Sequence, residues 1–152
     1  MAQLRLQLEA GHWERIRDGD ADLRAIYDRH YSRRVYRDGR QPKKTAGPGE
    51  YIALILPDAD GAFIWRKFID DSGQKGINCA VFRNESAILS SELILEAETY
   101  ATARWPGERF YTYVNGEKVQ STNPGYCFIK AGWRPWGYSK NGKRILEKCA
   151  NK

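Results

Sequence analysis

Leu4 to Leu8 ("LRLQL") alternate apolar and polar positions, the period of two that a half-buried strand requires. From Asp20 the period lengthens. Leu23, Ile26, Tyr27, His30 and Tyr31 fall on one face of a helix, with Asp18 or Asp20 placed to cap its start. "RDGRQPKKTAGPGE" breaks the pattern with glycine and proline and predicts a mobile basic loop over 33–48. "YIALIL" and "AFIWRKFI" then read as two strands joined by the turn "PDADG". "DDSGQKG" turns into the apolar strand "INCAVF".

"SSELILEAETYATARW" is the strongest helix in the chain. Leu93, Ile94, Ala97, Ala101 and Trp105 form its apolar side, Ser90 is the expected cap, and Trp105-Pro106-Gly107 ends it. "RFYTYV" follows as a strand, and "NPGYCFIK" as a short helix with Pro124 in its first turn and Asn123 as its cap. "RPWGYS" and "KRILEK" flank Asn141-Gly142, the pair preferred in two-residue type I′ hairpins. The order is strand, helix, two or three strands, helix, strand, short helix, hairpin. It predicts an α/β (α+β) fold, one mixed six- or seven-stranded sheet flanked by helices, in a single domain over 1–152.

Composition narrows the class. With 41% hydrophobic residues the chain belongs among folded globules rather than disordered segments. No apolar run approaches the ~20 residues a membrane span needs, and "MAQLRLQLEAGHW" has no signal-peptide apolar stretch. The expectation is therefore no membrane association. Cys79, Cys127 and Cys149 are scattered, with no metal or disulfide spacing, which suits a reduced, cytoplasmic setting (the host's cytoplasm if the protein is phage-encoded). Cys127 is expected to be a structural thiol. His12 and His30 are the only histidines, and no metal site is expected.

Charge adds a partner. The formal net charge is +6, and it is concentrated. Arg29, Arg33, Arg34, Arg37, Arg40, Lys43 and Lys44 are opposed only by Asp38. Lys130, Arg134, Lys140, Lys143, Arg144, Lys148 and Lys152 are opposed only by Glu147. Such segments fit either solvated faces or an anionic partner, with nucleic acid and a phosphorylated cofactor as the natural candidates. For DNA, Arg33, Arg34, Arg37, Arg40, Lys43 and Lys44 would neutralise phosphates, while Trp65, Tyr36 or Trp136 would stack on a displaced base.

"INCAVFRNES" before the long helix and "NPGYCFIKAGW" after the next strand resemble the GNAT superfamily of acyl-CoA-dependent N-acyltransferases. "HYSRR", "CAVFRNE", "SSELILEAE" and "NPGYCFIKAGW" are similar, more narrowly, to phage and prophage GNAT-like proteins related to the DNA-modification protein Mom. The resemblance implies a GNAT-like fold, acetyl-CoA or another acyl-CoA as cofactor, and transfer to an amine on a phage DNA base. Adenine N6 and a hypermodified pyrimidine are the two acceptors considered, and the modification would protect the DNA from nucleases.

The family's phosphate loop would correspond to Arg83, Asn84, Glu85, Ser86, Ala87 and Ile88. Arg83 matches its first position, but Ser86 and Ile88 stand where glycine or alanine is usual, and Glu85 would repel a phosphate. Ser90 and Ser91 would add helix N-terminal N–H donors. The backbone of Ala80, Val81 and Phe82 would pair with the pantetheine arm as an added strand does.

The same resemblance makes Tyr126 the general acid toward the departing thiolate, since a phenol keeps its proton at neutral pH. Its bland alternative is a packed aromatic beside Phe128 and Trp133. Ser121 and Asn123 would hydrogen-bond the CoA arm or cap the short helix. His30 and Tyr31 would line the acceptor side, His30 as a base that titrates near neutrality or else as a core residue. Asp70 and Asp71 are alternative bases or metal ligands, though "DDSG" is first a turn. Two other readings stay open: transfer to a small-molecule or protein amine, and a catalytically inactive GNAT-fold DNA-binding protein.

Overall fold

The computed structural model describes residues 11–17, 20–28, 49–69, 73–114 and 125–149. Within them one sheet is built from β1 (Glu14–Ile16), β2 (Glu50–Ile55), β3 (Gly61–Lys67), β4 (Ile77–Asn84), β5 (Phe110–Val114), β6 (Arg134–Tyr138) and β7 (Arg144–Lys148). The helices are α1 (Ala21–Asp28), α2 (Ser90–Arg104) and α3 (Tyr126–Lys130). The strands lie in the order β1-β2-β3-β4-β5-β7-β6, and all neighbours are antiparallel except β4 and β5. The parallel pair follows from α2, because a helix between two neighbouring strands returns the chain to the same end of the sheet. The molecule is a single-domain α+β protein. No helix among the described residues is long and apolar enough to cross a membrane.

The period-two patterns separate two faces of the sheet. On one, Ile52, Leu54, Phe63 and Trp65 meet Leu93, Ile94, Ala97 and Ala101 of α2. On the other, Ala53, Ile55, Ala62, Ile64 and Val81 meet Leu23 and Ile26 of α1. Each large apolar side chain buried in this way contributes about 1.5–3 kcal/mol. Tryptophan indoles orient α2 as well as pack it. Trp13 and Trp65 donate to the carbonyls of Leu93 and Ala97, each at 2.8 Å, and Trp133 donates to the Glu98 carboxylate at 3.0 Å. An indole N–H buried this way is satisfied, so the ring can sit in the core without an unpaired donor.

Four expectations are corrected here. Leu89, not Ser90, occupies the N-cap position of α2, and no side chain caps that end. The short helix begins at Tyr126, and the N-cap position expected for Asn123 is held by Gly125, in the left-handed region at φ 82°. Trp65 is 0% exposed and is a core residue, unavailable for stacking on a base. The Asn141-Gly142 turn is not type I′, since among these two only Gly142 has positive φ. Instead Gly142 N–H bonds Ser139 O at 3.0 Å and Ser139 N–H bonds Lys143 O at 2.8 Å, which closes a three-residue loop. By contrast Asp20 caps α1 as expected, its carboxylate accepting the N–H groups of Asp22 (2.9 Å) and Leu23 (3.3 Å). The strand expected at Leu4–Leu8 and the basic loop 33–48 lie outside the described residues.

Candidate functional site

β4 is an irregular strand with a purpose visible in its pairing. Toward β3, Cys79 pairs with Trp65 and Val81 with Ile64, so Ala80 is an extra residue, a β-bulge. Toward β5, the ladder holds for Ile77–Phe110, Asn78–Tyr111 and Cys79–Thr112, and then ends. β5 runs on to Val114 paired with β7 along its whole length. From Ala80 to Phe82, therefore, the edge of β4 that faces β5 has no strand partner among the described residues. Two side contacts close the ladder at the point of separation. Thr112 Oγ1 donates to the Cys79 carbonyl at 3.0 Å, and the Cys79 thiol donates to the Val81 carbonyl at 3.8 Å.

The α2 side of this opening is aromatic. Phe82 lies 5.3 Å from Phe63 and 5.9 Å from Phe128 of α3, centroid to centroid, and Phe128 meets Trp133 at 4.8 Å. α3 therefore bridges the separated ends of β4 and β5. Its approach depends on Gly125, where a Cβ would lie 2.6 Å from Leu146 Cδ1 and 3.2 Å from Val114 Cγ2. Tyr126, the next residue, is 51% exposed. Lys130 Nζ lies 6.0 Å from its ring centroid. Burial raises the Cys79 and Cys127 thiols above their ordinary pKa, so both stay protonated and weakly nucleophilic.

Asn84 organises the turn from β4 to α2. Its Nδ2 donates to Ile88 O (2.7 Å) and Ser90 Oγ (2.9 Å), and its Oδ1 accepts the Ser86 N–H (2.9 Å). Ser86 Oγ in turn accepts the Ile88 N–H at 3.1 Å, and Glu85 N–H bonds Asp60 O at 2.7 Å. Three loop amides are thus satisfied internally, and those of Ser90 and Ser91 at the start of α2 have no partner among the described residues. Glu85 is paired with Arg83, Oε2 to Nε at 2.6 Å, which offsets the charge that would oppose an anion here.

Of the residues singled out in the sequence, Ala80, Val81, Phe82, Arg83, Asn84, Ser90, Ser91 and Tyr126 gather around this opening. His30, Tyr31, Ser121, Asn123, Arg33, Arg34, Arg37, Arg40, Lys43, Lys44, Tyr36, Asp70 and Asp71 lie outside the described residues. Among the described residues no group of three or more His, Cys, Asp or Glu could hold a metal ion. Two contributors escaped the sequence reading: Thr112, which ends the ladder, and Gly125, which seats α3. The signal for Thr112 was present, since it is a polar residue at the inward parity of Phe110 and Val114.

Comparison with known proteins found no matching family model, no matching curated protein and no matching solved structure.

Proposed function

We propose that the chain is a GNAT-like N-acyltransferase that uses an acyl-CoA and transfers its acyl group to an amine on a DNA base. One observation carries the acyl-CoA half: the β4–β5 ladder ends at Cys79–Thr112, and among the described residues the backbone of Ala80–Phe82 then has no strand partner on that side. An extended amide-bearing chain such as pantetheine can add to such an edge through main-chain hydrogen bonds. The N–H groups of Ser90 and Ser91 at the start of α2, which have no partner among the described residues, supply donors for the phosphates at one end of that chain.

In this reading the donor and acceptor are held side by side, and proximity can account for about 7–11 kcal/mol of the barrier. The amine forms its bond to the acyl carbon as the carbon–sulfur bond breaks. Tyr126, exposed at the start of α3, gives its proton to the departing sulfur and is reprotonated from the newly acylated nitrogen by way of solvent. Such proton transfer contributes about 10²–10⁴-fold. Cys79 and Cys127, held protonated by burial, take no covalent part.

The DNA half rests on the net charge of +6 and the basic run from Arg29 to Lys44. A specific observation favours a second reading, a GNAT-fold DNA-binding protein without catalysis: the β4–α2 loop spends three of its amides on Asp60, Asn84 and Ser86. Mass spectrometry of nucleosides from DNA incubated with the protein and acetyl-CoA separates the two. A base carrying the added acyl mass is the expected result. Unmodified DNA alongside saturable DNA binding is the outcome of the second reading.

A further inference from the structure

The end of the sheet farthest from β1 is an edge with unusual equipment. Among the described residues β6 is the terminal strand, and Trp136 and Tyr138 on it are 55% and 72% exposed. The pairing of β6 with β7 shifts between Pro135 and Gly137, which leaves Trp136 as the extra residue of a bulge. A bulge and a proline together spoil an edge for adding another strand. The exposed rings are therefore not explained by strand-to-strand association.

Trp136 is backed by a fixed cation. Arg109 Cζ lies 5.7 Å from its ring centroid, and Arg109 is held by Glu147 Oε1 at 2.6 Å and by the Lys75 carbonyl at 2.9 Å. Glu147, 2% exposed, also accepts from Arg134 Nε at 2.8 Å. One carboxylate thus faces two guanidinium groups, and the cluster keeps a net positive charge beside a half-exposed indole. The hairpin beyond adds Lys140 and Lys143, whose amines have no ion-pair partner among the described residues. A positioned aromatic with surrounding cations is the chemistry that holds single-stranded nucleic acid, a base stacking on the ring while phosphates meet the charges.

We propose that the β6–β7 hairpin is a binding surface for single-stranded nucleic acid, with Trp136 as its stacking platform and Arg134, Lys140 and Lys143 as its phosphate contacts. The inference deepens the DNA half of the function above and does not depend on acyl transfer. It also supplies a role for exposed aromatics that β4, β5 and α3 leave unused.

The test is fluorescence anisotropy of a labelled oligothymidylate with the full chain at several salt concentrations. Saturable binding is expected, with Trp136→Ala weakening it about tenfold and Trp136→Phe largely preserving it. Lys140→Ala/Lys143→Ala should lower the slope of log affinity against log salt by about 1.4. Circular dichroism of each variant confirms that the fold is retained. Absence of binding at low salt, equal affinity of wild type and Trp136→Ala, or equal affinity for a duplex of the same length would each overturn the proposal. Titration with acetyl-CoA in parallel shows whether the acyltransferase reading stands or fails separately.

Discussion

The Thr112 hydroxyl donates to the Cys79 carbonyl at 3.0 Å, on the last rung before β4 and β5 separate. Both residues are buried, so this bond does the work that a ladder bond or water would otherwise do. Thr112→Val keeps the shape and leaves a buried carbonyl without its donor. The expected loss is about 1–3 kcal/mol of stability, read from the urea midpoint. An unchanged midpoint would show that the rung is satisfied in some other way.

A second prediction concerns pH. Burial alone would raise the Glu147 carboxyl, but hydrogen bonds and charge from Arg109 and Arg134 outweigh it and hold its pKa below the ordinary value. A depressed folded-state pKa contributes stability that is fully present above the unfolded value of about 4.3. That contribution is lost as pH falls from there through the folded-state value. Glu147→Gln should therefore lower stability at neutral pH. It should also flatten the decline in stability below about pH 4. Thermal melts of both proteins across pH 2–7 check this, and parallel curves would count against it.

Gly125 combines a left-handed φ of 82° with a Cβ position 2.6 Å from Leu146 Cδ1. Gly125→Ala should destabilise by more than about 1 kcal/mol, with α3 the first element to loosen. Faster amide exchange over Tyr126–Lys130 than elsewhere is the expected signature.

Thiol labelling probes the same region without a mutation. Cys149 is exposed, Cys79 is buried, and burial raises the pKa of both Cys79 and Cys127. Iodoacetamide on the native protein should modify Cys149 at least tenfold faster than the other two, as peptide mass spectrometry would read. Rapid labelling of Cys127 would indicate an opening at α3 wider than the structure has.

The strands from Tyr51 onward and the long helix were legible because their periods are long and cleanly bounded. β1 was not. It has three residues, two of them charged, and exists only through its pairing with Ile55, Leu54 and Ala53. Trp65 reads as a candidate stacking ring because a sequence does not say which aromatic turns inward. Its indole is satisfied by Ala97 O, which lies on an element read correctly but not yet placed in space. Position along the chain points to Ser90 as the cap, whereas the fold uses its hydroxyl as an acceptor for Asn84. The residues of the candidate site were named from a resemblance. The separation of β4 and β5 that gathers them depends on a bulge at Ala80 and on Thr112, features of pairing between distant segments that no local period encodes.

For Tyr126, the proposed proton donor, Tyr126→Phe should lower turnover about a hundredfold while acyl-CoA affinity stays within about twofold. Equal losses in both would make it a binding residue instead. Unchanged turnover would remove it from the chemistry.

The central claim is that the edge of β4 beyond Cys79 receives an acyl-CoA. Hydrogen–deuterium exchange with and without saturating acetyl-CoA tests it at the residues concerned. The account predicts slower exchange in peptides covering Ala80–Asn84 and Ser90–Ser91, with β2 and β3 unaffected. Identical exchange over Ala80–Asn84 at millimolar acetyl-CoA would contradict it.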